Sequence, residues 1–175
     1  MRRLVYCTVA AAISLAAGRE TAGNPVPDGT APPIEVGNAF CPVTGAKVGS
    51  MGAPVTYAYE GRLYNLCCPG CKRTIEQDPA RYTSRVKSLA VEAFRFGFEP
   101  ETIAVRQGDI VVIDLSSRDT RHGFYIKEYG INAQFGNDRT EKVSFIADRR
   151  GEFPILCSVY CGARHGRMKA TLIVQ

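Results

Sequence analysis

The chain has 175 residues, enough for one ordinary domain or two small ones. Its 45% hydrophobic and 22% charged residues are those of a soluble globular protein and exclude disorder on a large scale. The net charge of +5 falls to about +3 without Arg2 and Arg3, too little to point to nucleic acid as a partner.

The first eighteen residues open with Arg2 and Arg3, run apolar from Leu4 to Ala17 and end on the small residues Ala16, Ala17 and Gly18. That is the pattern of a secretory signal. A spanning helix needs roughly 20 apolar residues, and this run is shorter, although an uncleaved anchor stays open as a second reading. The mature chain is therefore expected to be periplasmic or otherwise exported, with no membrane span after the signal is removed. Residues 19–36 contain Pro25, Pro27, Pro32 and Pro33 and read as a flexible tether.

Residues 37–85 read as a small unit. Val55 to Tyr59 alternates like a strand, Glu60-Gly61 signals a turn, and Arg62 to Leu66 returns as a second strand. A short helix is expected over Lys72 to Gln77, ending near Asp78-Pro79. So small a unit buries little apolar surface and usually needs a staple or a metal. From residue 89 to 175 the chain is strand-rich. Strands are expected at Ala90 to Phe96, Thr102 to Val105, Ile110 to Leu115, Gly123 to Ile126, Lys142 to Ala147, Glu152 to Leu156 and Ala170 to Val174. The fold class is therefore mainly β: a C-terminal β-sandwich or barrel behind a small N-terminal α+β unit of hairpin plus helix.

Cys7 falls within the signal, and the other six cysteines form two groups: Cys41, Cys67, Cys68 and Cys71, then Cys157 and Cys161. The chain's two histidines, His122 and His165, accompany the second group. That clustering favours metal over simple stapling. Cys157-Ser-Val-Tyr-Cys161-Gly-Ala-Arg-His165-Gly-Arg-Met168 places four soft or borderline donors in one loop between two strands. Thiolate, thioether and imidazole together suit copper. A mononuclear blue site needs one thiolate, so two at this spacing suggest two metals sharing sulfur. A Cys157–Cys161 disulfide, a zinc site, and an ordinary strand-end role for His122 remain as alternatives.

Phe98-Glu-Pro100-Glu-Thr-Ile103, Asp119-Thr-Arg-His122-Gly-Phe124, Gly130-Ile-Asn, Gly151-Glu-Phe and the loop from Cys157 to Met168 resemble the CuA domain of cytochrome c oxidase subunit II, a cupredoxin. The CuA domain of nitrous oxide reductase is a looser likeness. The resemblance covers about residues 90 to 175 and implies a Greek-key β-sandwich for them. It implies two copper ions bridged by Cys157 and Cys161. His122 and Met168 would complete one copper, and His165 and the backbone carbonyl of Val159 the other. It implies electron transfer and not catalysis, since no position is left open for substrate. The partner would be a redox protein, a cytochrome or cupredoxin, or a terminal reductase or oxidase. Three departures count against a working oxidase subunit. Valine stands at 159 where the family commonly has a magnesium-binding glutamate, tryptophan is absent, and no membrane hairpin precedes the domain.

Cys41-Pro-Val-Thr-Gly45, Tyr59 through Cys71 and Asp78-Pro79-Ala-Arg-Tyr82 resemble the YHS domain, a module of metal-handling proteins. Cys41, Cys67 and Cys71 match the family's cysteines, and Cys68 is additional. The resemblance implies a second site for zinc or Cu(I); a pair of stapling disulfides is the alternative. Joined to the copper motif, this unit allows a second overall reading, a protein that captures, delivers or senses copper. Finally, Arg118, Arg121, Arg164, Arg167 and Lys169 surround the ligand loops. They are expected to form a basic docking face for an acidic partner, unless they are only solvated loop-end charges.

Overall fold

A computed structural model describes residues 32–175. The expected signal, Cys7 and the tether over 19–31 lie outside the described residues. Among the described residues no helix is long and apolar enough to cross a membrane.

The first elements build a small sheet. Strand β1 (Ile34–Glu35) runs parallel to β3 (Arg62–Leu66), which pairs in turn with the antiparallel β2 (Val55–Tyr59). At the β2–β3 turn Glu60 and Gly61 both have positive φ, 48° and 70°, as a two-residue hairpin turn of the I′ kind demands. The tether expected to run through residue 36 therefore ends earlier. Ile34 and Glu35 find strand partners, and Val36 is buried. Asn38, itself buried, fixes this junction: its side chain donates to the Asn65 carbonyl at 2.8 Å and accepts from the Asn65 amide at 2.9 Å. Helix α1 (Pro69–Ile75) begins earlier than the expected Lys72, because Pro69 can occupy a first-turn position whose N–H has no partner anyway. A second helix, α2 (Pro79–Thr83), follows where only a stop was expected, and Asp78 caps it through the Arg81 amide.

The rest forms two facing sheets. One has the order β10-β7-β4-β5, built from β4 (Val86–Phe94), β5 (Gly97–Glu99), β7 (Ile110–Ser117) and β10 (Glu141–Ile146). The other has the order β6-β12-β11-β8-β9, from β6 (Thr102–Val105), β8 (His122–Ile126), β9 (Ile131–Phe135), β11 (Gly151–Leu156) and β12 (Lys169–Val174). The chain is mainly β, as expected. The pairs β4–β7 and β6–β12 are parallel and the others antiparallel.

Strand alternation supplies the core. Ala170, Leu172 and Val174 of β12 and Phe124 and Ile126 of β8 face Val91 and Ala93 of β4 and Val111, Ile113 and Leu115 of β7. Phe98 meets Phe124 edge-on with centroids 5.9 Å apart. Each such ring adds about 1.5–3 kcal/mol by leaving water. Strand β7 departs from simple alternation: all four residues from Ile110 to Ile113 are buried. Its second face is covered by the small unit, where Ile110 and Val112 pack with Val36, Tyr64 and Val86. Polar contacts reinforce that seam. Lys142 Nζ donates to the Val36 carbonyl, Ala39 N to Ser144 Oγ, and Arg85 Nη1 to the Pro42 carbonyl, each at 3.2 Å.

Candidate metal centre

The loop from Cys157 to Met168 joins β11 to β12. Those strands stay paired to their last residues, Leu156 against Lys169, and the Cys157 amide donates to the Met168 carbonyl at 3.4 Å. The base of the loop is thus pinned at both of its outer ligand candidates. Inside it, His165–Arg167 forms a 3-10 turn. The His165 amide donates to Gly162 O and the Met168 amide to His165 O, both at 3.0 Å. This turn brings His165 and Met168 back toward Cys161. His165 Nδ1 and Met168 Sδ each lie 3.7 Å from Cys161 Sγ.

His122 comes from the first position of β8, which lies between β11 and β9. Its Nδ1 is 3.9 Å from Cys157 Sγ. Ligand atoms of His122, Cys157 and Cys161 all lie within 4.8 Å of one another. The Val159 carbonyl oxygen is 3.1 Å from Cys157 Sγ. The structure therefore brings His122, Cys157, Val159, Cys161, His165 and Met168 to one end of the sandwich. His122, Cys157, Cys161 and Met168 are buried, and His165 is half-buried.

The surroundings hold these donors in place. Asp119 Oδ1 lies 2.9 Å from His122 Nε2, which leaves Nδ1 to face the thiols. The other oxygen of Asp119 accepts from the Arg95 amide at 2.9 Å, and Arg95 Nε donates to the Cys161 carbonyl at 2.9 Å. Burial works against the charge on Asp119. The hydrogen bonds from His122 and the Arg95 amide outweigh it and keep the carboxyl below its usual range. Burial, followed by the neighbouring Cys157, pushes the Cys161 thiol up to about 11. The Gly123 amide donates to Cys157 Sγ at 3.4 Å. Asp119 and Gly123 entered the reading of the sequence only as part of the stretch around His122, with no role of their own, and Arg95 not at all. Asp119 stands three residues before His122, but a carboxylate at that distance in a loop has no fixed direction until the fold supplies one.

The donor set fits copper: two thiolates, two imidazole nitrogens, a thioether and a carbonyl, with soft donors prevailing. No magnesium carboxylate is present at residue 159, which is valine.

A second cluster lies in the small unit. Sulfurs of the buried Cys41, Cys67 and Cys71 all lie within 4.8 Å of one another. The half-buried Cys68 has its sulfur 3.5 Å from that of Cys71. Cys41 sits in a tight loop closed by its own amide and carbonyl, Cys67 follows the end of β3, and Cys71 lies in α1. All six cysteines among the described residues are free thiols. Burial raises the Cys41 thiol, but hydrogen bonds from the Cys67, Thr44 and Val43 amides bring it down to about 7. Burial holds Cys67 and Cys71 above the usual range.

Of the expected basic face, Arg118 is spoken for. It pairs with Glu92 and, at 3.2 Å, with Glu99. Arg121, Arg164, Arg167 and Lys169 are exposed, and Arg121 reaches Gln134, at 3.3 Å.

Residues 81–174 match the family described as cytochrome c oxidase subunit II, periplasmic domain. Cytochrome c oxidase subunit 2 of Thermus thermophilus is 34% identical over 101 residues, which are 58% of this chain and 71% of that protein. Nitrous-oxide reductase of Ralstonia nicotianae is 31% identical over 110 residues, 61% of this chain but 16% of the reductase. The solved periplasmic domain of cytochrome oxidase subunit II from Bradyrhizobium japonicum aligns with a TM-score of 0.47 at 15% identity, covering 51% of this chain and 83% of that one. With more than half of its length matched by that one family, and with the strands and converging sulfur and imidazole donors described above, the chain belongs to the periplasmic CuA-type cupredoxin domains of cytochrome c oxidase subunit II.

Proposed function

We propose that this chain is an exported electron-transfer protein whose copper pair is held by six donors at one end of the sandwich. The observation that carries the reading is their convergence on the paired sulfurs. Cys157 Sγ has the Val159 carbonyl and His122 Nδ1 as neighbours, and Cys161 Sγ has His165 Nδ1 and Met168 Sδ. Cys157 and Cys161 would bridge both metals, His122 and Met168 would serve one, and His165 and the Val159 carbonyl the other. When bound, copper supplies a one-electron couple.

The residues of the chain do the rest. Strand pairing at Leu156 and Lys169 and the Asp119–His122 contact hold the donors in one arrangement, so a change of charge at the site meets little rearrangement. The buried donors exclude water, while the half-buried His165 reaches the surface beside the exposed Tyr160, ring centroids 5.8 Å apart. That pair is the route by which a redox partner, a cytochrome, a cupredoxin or a terminal oxidase or reductase, would exchange electrons. With each copper held by protein donors, no position would be left for substrate.

Electron paramagnetic resonance of the purified copper-loaded protein, combined with metal analysis, tests this. The expected result is one unpaired electron shared over two coppers, abolished by Cys157→Ser or Cys161→Ser. A signal from a single copper with one thiolate would overturn the assignment.

A further inference from the structure

The four cysteines of the small unit lie outside the family match and are not used by the copper pair. Their arrangement is graded from inside to outside. Cys41 and Cys67 are fully buried and Cys71 is 5% exposed, within an apolar shell that includes Leu66 and Ile75. Cys67 and Cys71 have their sulfurs 3.5 Å apart. Two more sulfurs stand at the mouth. Half-buried Cys68 touches Cys71, and Met51, 57% exposed, has its thioether 3.9 Å from Cys67 Sγ. An apolar side chain this exposed gains little from its position by burial. What Met51 touches is a buried thiol.

Among the described residues, the ligand group contains neither imidazole nor carboxylate. Cys68 does not join the set whose atoms all lie within 4.8 Å, so three thiols, not four, share the inner position. Zinc prefers four ligands in a tetrahedron and makes no use of thioether sulfur, whereas thiolate with thioether selects monovalent copper.

We propose that Cys41, Cys67 and Cys71 form a Cu(I) site, and that Met51 and Cys68 pass the ion between this site and the outside. Binding transfers no electron. Three S–H bonds give way to three Cu–S bonds, the protons go to water, and copper stays in its monovalent state. The site favours the copper-handling role as an addition to electron transfer. It stands independently of the copper pair, with which it shares no ligand.

The test uses the full chain carrying Cys157→Ser and Cys161→Ser, so that only the small unit offers clustered thiols. Cu(I) is added anaerobically with ascorbate against a chromophoric Cu(I) chelator, and zinc is offered in parallel. One equivalent of Cu(I) should be withheld from the chelator and not displaced by excess zinc. Cys41→Ser should weaken retention by more than about 100-fold, the upper end of what outer-sphere partners cost. Because a buried cysteine change can impair folding, Met51→Leu and Cys68→Ser form the second arm. Each should retain the equivalent at equilibrium but slow its transfer to the chelator severalfold. Zinc held in preference to Cu(I), no withheld copper, or thiols already joined as disulfides in the exported protein would each overturn the site. Unchanged transfer rates in both mouth variants would overturn the passage.

Discussion

At Gly123 a Cβ would stand 2.1 Å from the Ser158 hydroxyl and 2.8 Å from the Ser158 nitrogen, so only glycine lets β8 approach the ligand loop this closely. The same approach puts the Gly123 amide on the Cys157 sulfur. A glycine after His122 is visible in the sequence, but its reason is not, because the atoms it would strike belong to a loop 35 residues downstream. Asp119 is a similar case. Its two oxygens tie the His122 ring to the Arg95 amide, and Arg95 in turn holds the Cys161 carbonyl. The carboxylate thus links the two segments that supply ligands. Asp119→Ala should lower copper affinity about 10–100-fold while leaving the ligands themselves in place. Metal titration followed by the copper spectrum checks it, and Asp119→Asn, which keeps a hydrogen-bonding group, should recover part of the loss.

Among the elements, the ligand loop was legible because its donors are rare residue types at fixed offsets, and β11 and β12 on either side are short and rich in apolar residues. Other elements were not. Strand β9, Ile131–Phe135, reads as Ile-Asn-Ala-Gln-Phe, with only Phe135 buried, and passes for a loop until β8 pairs with it. Strand β4 begins at Val86, four residues before the expected start. Its early residues are held by a parallel pairing with β7 that no local pattern announces. Strand β1 has only two residues and exists by virtue of β3. Within the loop itself, the role assigned to residue 159 needs only its backbone. Val159→Ala should therefore leave the copper content and spectrum almost unchanged, as metal analysis would show. Loss of copper in that variant would contradict the carbonyl assignment.

At the scale of the whole molecule, the segments that supply the ligands carry Arg121, Arg164, Arg167 and Lys169 exposed, with Arg118 removed from the set by Glu92 and Glu99. Like charges grouped at the end proposed to hold copper would speed the approach of an acidic redox partner, and salt would weaken the effect. Screening over about 8 Å at physiological ionic strength leaves charges at the contact itself effective. Arg121→Glu together with Arg164→Glu should slow electron exchange with an acidic cytochrome at low salt and leave the copper spectrum intact. Stopped-flow rates against one acidic and one basic cytochrome, across a salt series, measure this. A preference for the basic protein that fades as salt rises would remove these arginines from the docking face.

The seam formed by Val36, Tyr64, Val86, Ile110 and Val112 leaves the first half of β7 buried on both faces, so neither the small sheet nor the sandwich keeps its own apolar surface covered alone. Heating should melt them together, in one calorimetric transition. An ion bound anywhere in such a cooperative body raises the melting temperature of all of it, because it binds the folded chain and is released on unfolding. Copper taken up by the thiols near α1 should thus protect the distant strand ends that carry His122 and Cys157 against heat, with no contact between the two sites.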